Sequence, residues 1–191
     1  MPHQLIRFVG IVAVLLGTGL VAGWIWESVW EAPLGGVQDG RWFPIPAETG
    51  LRARFSGTAT YVLVAVVAGL VAGTLIGLLT RGAELLTLAA VVVGSGLGAV
   101  AMAWVGTTLG PEDPRELAPR LEDGATLVGN LEVTGLSPYV ALPFGALLAL
   151  VVVFFLTAGR GRYDERARAA RSDAASDDTV SDGRSGPSPR P

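Results

Sequence analysis

The residues able to do chemistry in this chain are few. One histidine, His3, and no cysteine occur among 191 residues. Disulfides, thiolate metal sites and cysteine nucleophiles are thereby excluded. A lone terminal histidine cannot build a metal site, which needs several converging ligands. The remaining candidates are carboxylates. Glu112, Asp113, Glu116, Glu122, Asp123 and Glu132 crowd one segment, where calcium binding or an acid–base pair would be the chemistry to look for. The Asp-x-Asp spacing of a calcium loop is missing. Asp113-Pro114-Arg115-Glu116 reads instead as an N-cap, a proline at the first helical position and the Glu of a capping box. Pro119 keeps that helix short. Without a serine–histidine or histidine–glutamate set, hydrolysis lacks its usual base. No catalytic, cofactor-binding or metal-binding residue is assigned, and the chain reads as non-enzymatic.

A second pattern does its work by size rather than reactivity. Gly19 and Gly23, Gly69, Gly73 and Gly77, and Gly94 and Gly98 recur at intervals of four. That spacing puts each set on one helix face. In lipid, close backbone approach through small residues holds helices together. These seven glycines are the expected helix-packing faces.

The elements that must position them are membrane spans. Half of the residues are hydrophobic and only 16% are charged. No charge occurs over 19 residues between Arg7 and Glu27, 26 between Arg54 and Arg81, 27 between Glu84 and Glu112, or 27 between Glu132 and Arg160. A helix needs roughly 20 apolar residues to cross a bilayer. The fold class is therefore an all-α membrane protein of four transmembrane helices, near 5–26, 58–80, 85–105 and 139–157, arranged as two antiparallel hairpins. Together with outer loops 27–57 and 106–138 they form one domain over 1–159. The short Thr80–Glu84 link makes spans two and three antiparallel neighbours. A cleaved leader is disfavoured for span one, because its uncharged stretch exceeds a signal-peptide core and Trp24-Ile25-Trp26 comes directly after it.

Basic residues set the orientation. Arg7, Arg81 and the cluster Arg160, Arg162, Arg166, Arg168 and Arg171 flank one side, while the acid-rich segment lies on the other. Both termini are expected in the cytoplasm of a multi-pass plasma-membrane protein. Trp24, Trp26, Trp30, Trp104, Tyr61 and Tyr139 fall at the outer span ends, where an interfacial aromatic belt belongs. Arg160, Arg162, Arg166 and Arg168 suit contact with anionic lipid. Beyond them, residues 160–191 form a Ser-, Asp-, Gly- and Pro-rich tail expected to be disordered. Asp39-Gly40 and Gly129-Asn130 each mark an outer β-hairpin.

The text repeats. Gly17-Thr18-Gly19-Leu20 aligns with Gly94-Ser95-Gly96-Leu97 at an offset of 77 residues, and Tyr61-Val62 echoes Tyr139-Val140. Each half reads as span, outer loop, span, so the duplication would be parallel, about an axis along the membrane normal.

Gly19-Leu-Val-Ala-Gly-Trp-Ile-Trp, Ala32-Pro33, Pro46-Ala-Glu48 before Phe55, the span-two glycines and Leu109-Gly110-Pro111-Glu-Asp113 together resemble a family of small four-span actinobacterial membrane proteins of unknown function. The resemblance covers roughly residues 5–157 and implies the four-span topology without an activity. Where that family often has an Asp after the loop phenylalanine, Ser56 and Gly57 stand here, so no acidic site is carried over.

No Asp, Glu, Lys, Arg or His lies deep in a span; Thr74 and Ser95 are the polar residues nearest mid-membrane. Ionisable groups there mark proton relays and ion paths, so a proton-coupled transporter is disfavoured. The expected partners are membrane lipids and either a second copy of the chain or another membrane protein, with no nucleic acid and no cofactor. The leading expectation is a non-enzymatic membrane or cell-envelope module; the alternative is an oligomeric transporter or channel for a small or apolar solute.

Overall fold

A computed structural model describes residues 2–80 and 84–157, with backbone alone over 47–54. Four helices are long and apolar enough to cross a membrane. They lie in α1 (Pro2–Val29), α2 (Ala47–Leu79), α3 (Glu84–Leu109) and a last helix over residues 141–157, α5. Between α3 and α5 come the one-turn helix α4 (Pro114–Leu117) and strand β3 (Thr126–Val128). Strands β1 (Leu34–Gln38) and β2 (Arg41–Pro44) lie between α1 and α2. The expected spans are all helical, but α2 begins eleven residues before position 58 and takes up part of what reads as loop.

Helix pairing follows the small residues. Leu15, Gly19 and Gly23 of α1 meet Gly94, Gly98 and Met102 of α3. A methyl group on Gly98 would lie 2.6 Å from the Leu15 carbonyl oxygen, and one on Gly23 would lie 2.5 Å from that of Met102. On the other side, Gly69 and Gly73 of α2 meet Leu142, Gly145 and Ala146 of α5. Residue numbers rise together along both contacts, so α1 runs parallel to α3 and α2 parallel to α5. The expected packing of spans two and three does not occur: α2 and α3 make only marginal contact. A short link ties two helix ends together, whereas the length of a helix goes to the neighbour whose surface lets backbones approach.

Glycines aligned by the offset of 77 have different surroundings. Gly19 is packed and its counterpart Gly96 has open space; Gly94 is packed and its counterpart Gly17 has open space. Across the α1–α3 contact, Gly19 lies on Gly98 and Gly23 on Met102.

Beyond the spans the chain builds a cap. β1 and β2 form an antiparallel hairpin turning at Asp39-Gly40, both at positive φ of 50° and 67°. That is the conformation an Asp-Gly hairpin turn requires. The Asp39 amide also donates to the Asp123 carboxylate at 2.8 Å. The hairpin expected at Gly129-Asn130 is absent. β3 pairs with β1 instead, giving the order β2-β1-β3. Its exit is held by the Gly129 amide donating to the Pro33 carbonyl at 2.7 Å. Leu131 then turns inward and is buried in the helix core. Three strands with side chains packed beneath them outcompete two isolated ribbons, which are marginal in water.

The chain divides at residue 151 into two units. In the second, the described residues 152–157 finish α5, where Thr157 donates its hydroxyl to the Val153 carbonyl at 2.9 Å. Arg160, Arg162, Arg166 and Arg168 lie outside the described residues, as do Arg81, Arg171 and the expected disordered tail.

Candidate surfaces at the cap end of the helix bundle

Where the bundle meets its cap, α1, α2 and α3 are tied by aromatic side chains. The Trp26 indole N–H donates to the Gly57 carbonyl at 2.9 Å. The Tyr61 hydroxyl donates to the Ala99 carbonyl at 2.8 Å. The two rings meet edge to face, centroids 5.1 Å apart, and Tyr139 lies 5.9 Å beyond Tyr61. The Trp26 ring covers Gly106, where no Cβ would fit. Edge-to-face pairs of this kind add about 0.5–1.5 kcal/mol beyond burial.

This corrects the aromatic belt. Trp26 and Tyr61 are fully buried and serve as core, because both the ring and its polar atom are satisfied inside. Trp24 and Trp104 are exposed on the helix exteriors. Trp30 and Tyr139 are half-buried. The Trp30 indole N–H is buried with no partner, beside Gly57 and Leu131. Sequence position at a span end cannot separate these cases; the helix face can. Trp26 falls on the same stripe as Leu15, Gly19 and Ala22, while Trp24 lies off it.

The packing glycines are consumed inside the chain. Gly19, Gly23, Gly69, Gly73, Gly94 and Gly98 all meet neighbouring helices, and Gly77 is buried. The hydroxyls within the spans are likewise turned inward on their own helices: Thr18 donates to Val14, Thr74 to Leu70 and Ser95 to Val91. Among the described residues, no group of three His, Asp or Glu side chains gathers. Asp113 caps α4 by accepting from the Arg115 amide at 2.9 Å.

Two surfaces remain that the sequence did not single out. One is the outward face of the sheet. Ile45 stands opposite Leu34 through its 3.0 Å backbone bond, and Val128 stands on Leu34's other side. Phe43 and Thr126 flank Gly36 in the next row. Leu34 and Ile45 are 63% and 62% exposed, Phe43 49% and Val128 41%. Strict alternation along β1 would have shown this face, but Gly35 and Gly36 blank the pattern. The other surface is a groove of about 380 Å³ along the cap end of α3. Val100, Ala103 and Val133 give it apolar walls; Trp104 and Tyr139 flank it; Thr107 and Glu132 line it with polar groups. Comparison with protein families, curated proteins and solved structures finds no match to this chain.

Proposed function

We propose that this chain is a non-enzymatic module of the plasma membrane, both termini cytoplasmic, that associates with other membrane or cell-envelope proteins through its cap. The observation that carries the reading is the outward sheet face. Four large apolar side chains, Leu34, Phe43, Ile45 and Val128, share that face outside the spans and are each at least two-fifths exposed. Clustered apolar surface outside the bilayer is the signature of a docking face. The glycine faces, which would have favoured this reading had they been open to lipid, are occupied within the chain, so the reading rests on the sheet face. The resemblance to four-span actinobacterial proteins implies the same number of spans and is offered on the same footing.

The test is a mild-detergent purification of the tagged full chain from its native membrane, with mass analysis of what accompanies it. A stoichiometric second protein is expected, retained by the wild type and lost from Leu34→Asp and Phe43→Asp. A homo-oligomer without that partner, unchanged by either substitution, would sink the reading. Solute flux through the oligomer would then be the next measurement, for the alternative of a transporter or channel.

A further inference from the structure

The sheet has two edges, and the chain treats them differently. The outer edge of β2 is closed. α2, α4 and the turn over Ala118–Arg120 pack against β2. The Ile45 amide donates to the Leu34 carbonyl at 3.0 Å, so in the alternating pattern of an antiparallel pair the backbone groups of Trp42 and Pro44 point away from β1. Pro44 has no N–H to offer there, and a proline so placed blunts an edge against further pairing.

The outer edge of β3 has no such device. Thr126-Leu127-Val128 carries neither charge nor proline. Among the described elements, β1 is the one that packs along it. The Gly129 amide donates to the Pro33 carbonyl at 2.7 Å, and the Val37 amide to the Ala125 carbonyl at 2.8 Å. These two bonds bracket the pair Gly35 and Leu127, whose amides and carbonyls therefore face each other. The amides and carbonyls of Thr126 and Val128 point the other way, to the open side. The strand that carries them is also pinned from β2, because the Trp42 indole N–H donates to the Leu127 carbonyl at 3.2 Å. A fixed strand with outward N–H and C=O groups is a template for one more strand.

The side chains point to the same occupant. On the outward face the row Ile45, Leu34, Val128 crosses the sheet and stops at the edge, with Val128 41% exposed. A strand laid beside β3 places its own side chain next in that row and covers Val128. A helix or an acyl chain could cover the row, but neither brings backbone groups to meet those of Thr126 and Val128.

We propose that the partner adds a fourth strand to this sheet along β3. The added segment is extended and uncharged, lies on the cap side of the membrane, and sets an apolar residue beside Val128 and a second residue, two positions away, beside Thr126. The proposal rests on the reading of the sheet face as a partner's docking surface and specifies how the backbones meet.

The experiment is amide hydrogen exchange of the full chain in mild detergent, alone and in the complex purified from native membrane. Exchange of the Thr126 and Val128 amides should slow by about tenfold or more in the complex, because a paired amide must open before it exchanges. Val128→Pro deletes one outward N–H and leaves the bonds to β1 in place. It should weaken retention of the partner about tenfold, the scale of one hydrogen bond, at an unchanged unfolding temperature. If Val128→Pro does not fold, exchange in the wild-type complex decides alone. Should Leu34→Asp release the partner while the Thr126 and Val128 amides exchange as fast in the complex as in the free chain, the docking face stands and strand addition is overturned. Should no partner accompany the chain, or should neither Leu34→Asp nor Val128→Pro release it, both fall. A second copy of the chain seated on β3 in place of a different protein would also overturn the proposal.

Discussion

Two glycines two residues apart in α1 have opposite roles. Gly19 touches the backbone of Gly98, while Gly17 has nothing within 4 Å. Gly19→Leu must push two helix backbones apart, a strain that costs about 1–3 kcal/mol or more. Gly17→Leu meets no obstacle and replaces a poor helix former, so it should be neutral or stabilising by up to about 1 kcal/mol. Thermal unfolding of the purified variants in detergent checks both. A Gly19→Leu protein as stable as Gly17→Leu would mean that α1 and α3 do not approach as described. Tyr61→Phe is a milder probe. It deletes the bond to Ala99 while keeping the ring, and about 0.5–1.5 kcal/mol of destabilisation is expected in the same assay.

At the scale of elements, the turn residues and the packing residues decide different things. The β1–β2 turn rests on Asp39 and Gly40 at positive φ, which β-branched side chains tolerate poorly. Gly40→Val should loosen the cap by about 1–2 kcal/mol without touching the helices. Hydrogen exchange would show it as faster exchange of the Val37 and Ile45 amides, with those of α1 and α3 unchanged. This turn was legible as Asp-Gly. The Gly129-Asn130 turn carried an equal local signal and formed no hairpin. The two differ in the residues immediately C-terminal to them. After Gly40 comes Arg41-Trp42-Phe43-Pro44, which has β1 to pair with. After Asn130 comes Leu131, which the helix core buries. Apolar burial at roughly 25 cal/mol per Å² outweighs the preference of a two-residue turn.

For the whole molecule, orientation is the property most open to test, and the absence of cysteine makes single-cysteine labelling clean. Leu136 is 85% exposed at the cap end. With Leu136→Cys, an impermeant maleimide should react in intact cells. With Thr80→Cys, beside the short link between α2 and α3, reaction should require permeabilisation. The reverse pattern would invert the topology and place the cap in the cytoplasm. Helix pairing is also a property of this scale. Like helices pair in parallel, α1 with α3 and α2 with α5, as expected if two similar hairpins meet across an axis along the membrane normal.

The sequence alone determined the existence of four apolar helices, though not where α2 begins, since hydrocarbon excludes charge and an unbroken apolar stretch has no other stable form in a bilayer. It also determined the first hairpin turn and the Asp113 cap, because both depend on a few adjacent residues. It did not determine which helices meet. Glycines at intervals of four mark a face on each helix but not its partner, and the chain link between α2 and α3 pointed to the wrong one. Nor did it separate Trp26 from Trp24, whose fates differ only by helix face. Those matters, and the sheet face and the groove with them, were decided by the tertiary structure. They arise where segments distant in the chain come together, and no local preference encodes such pairings.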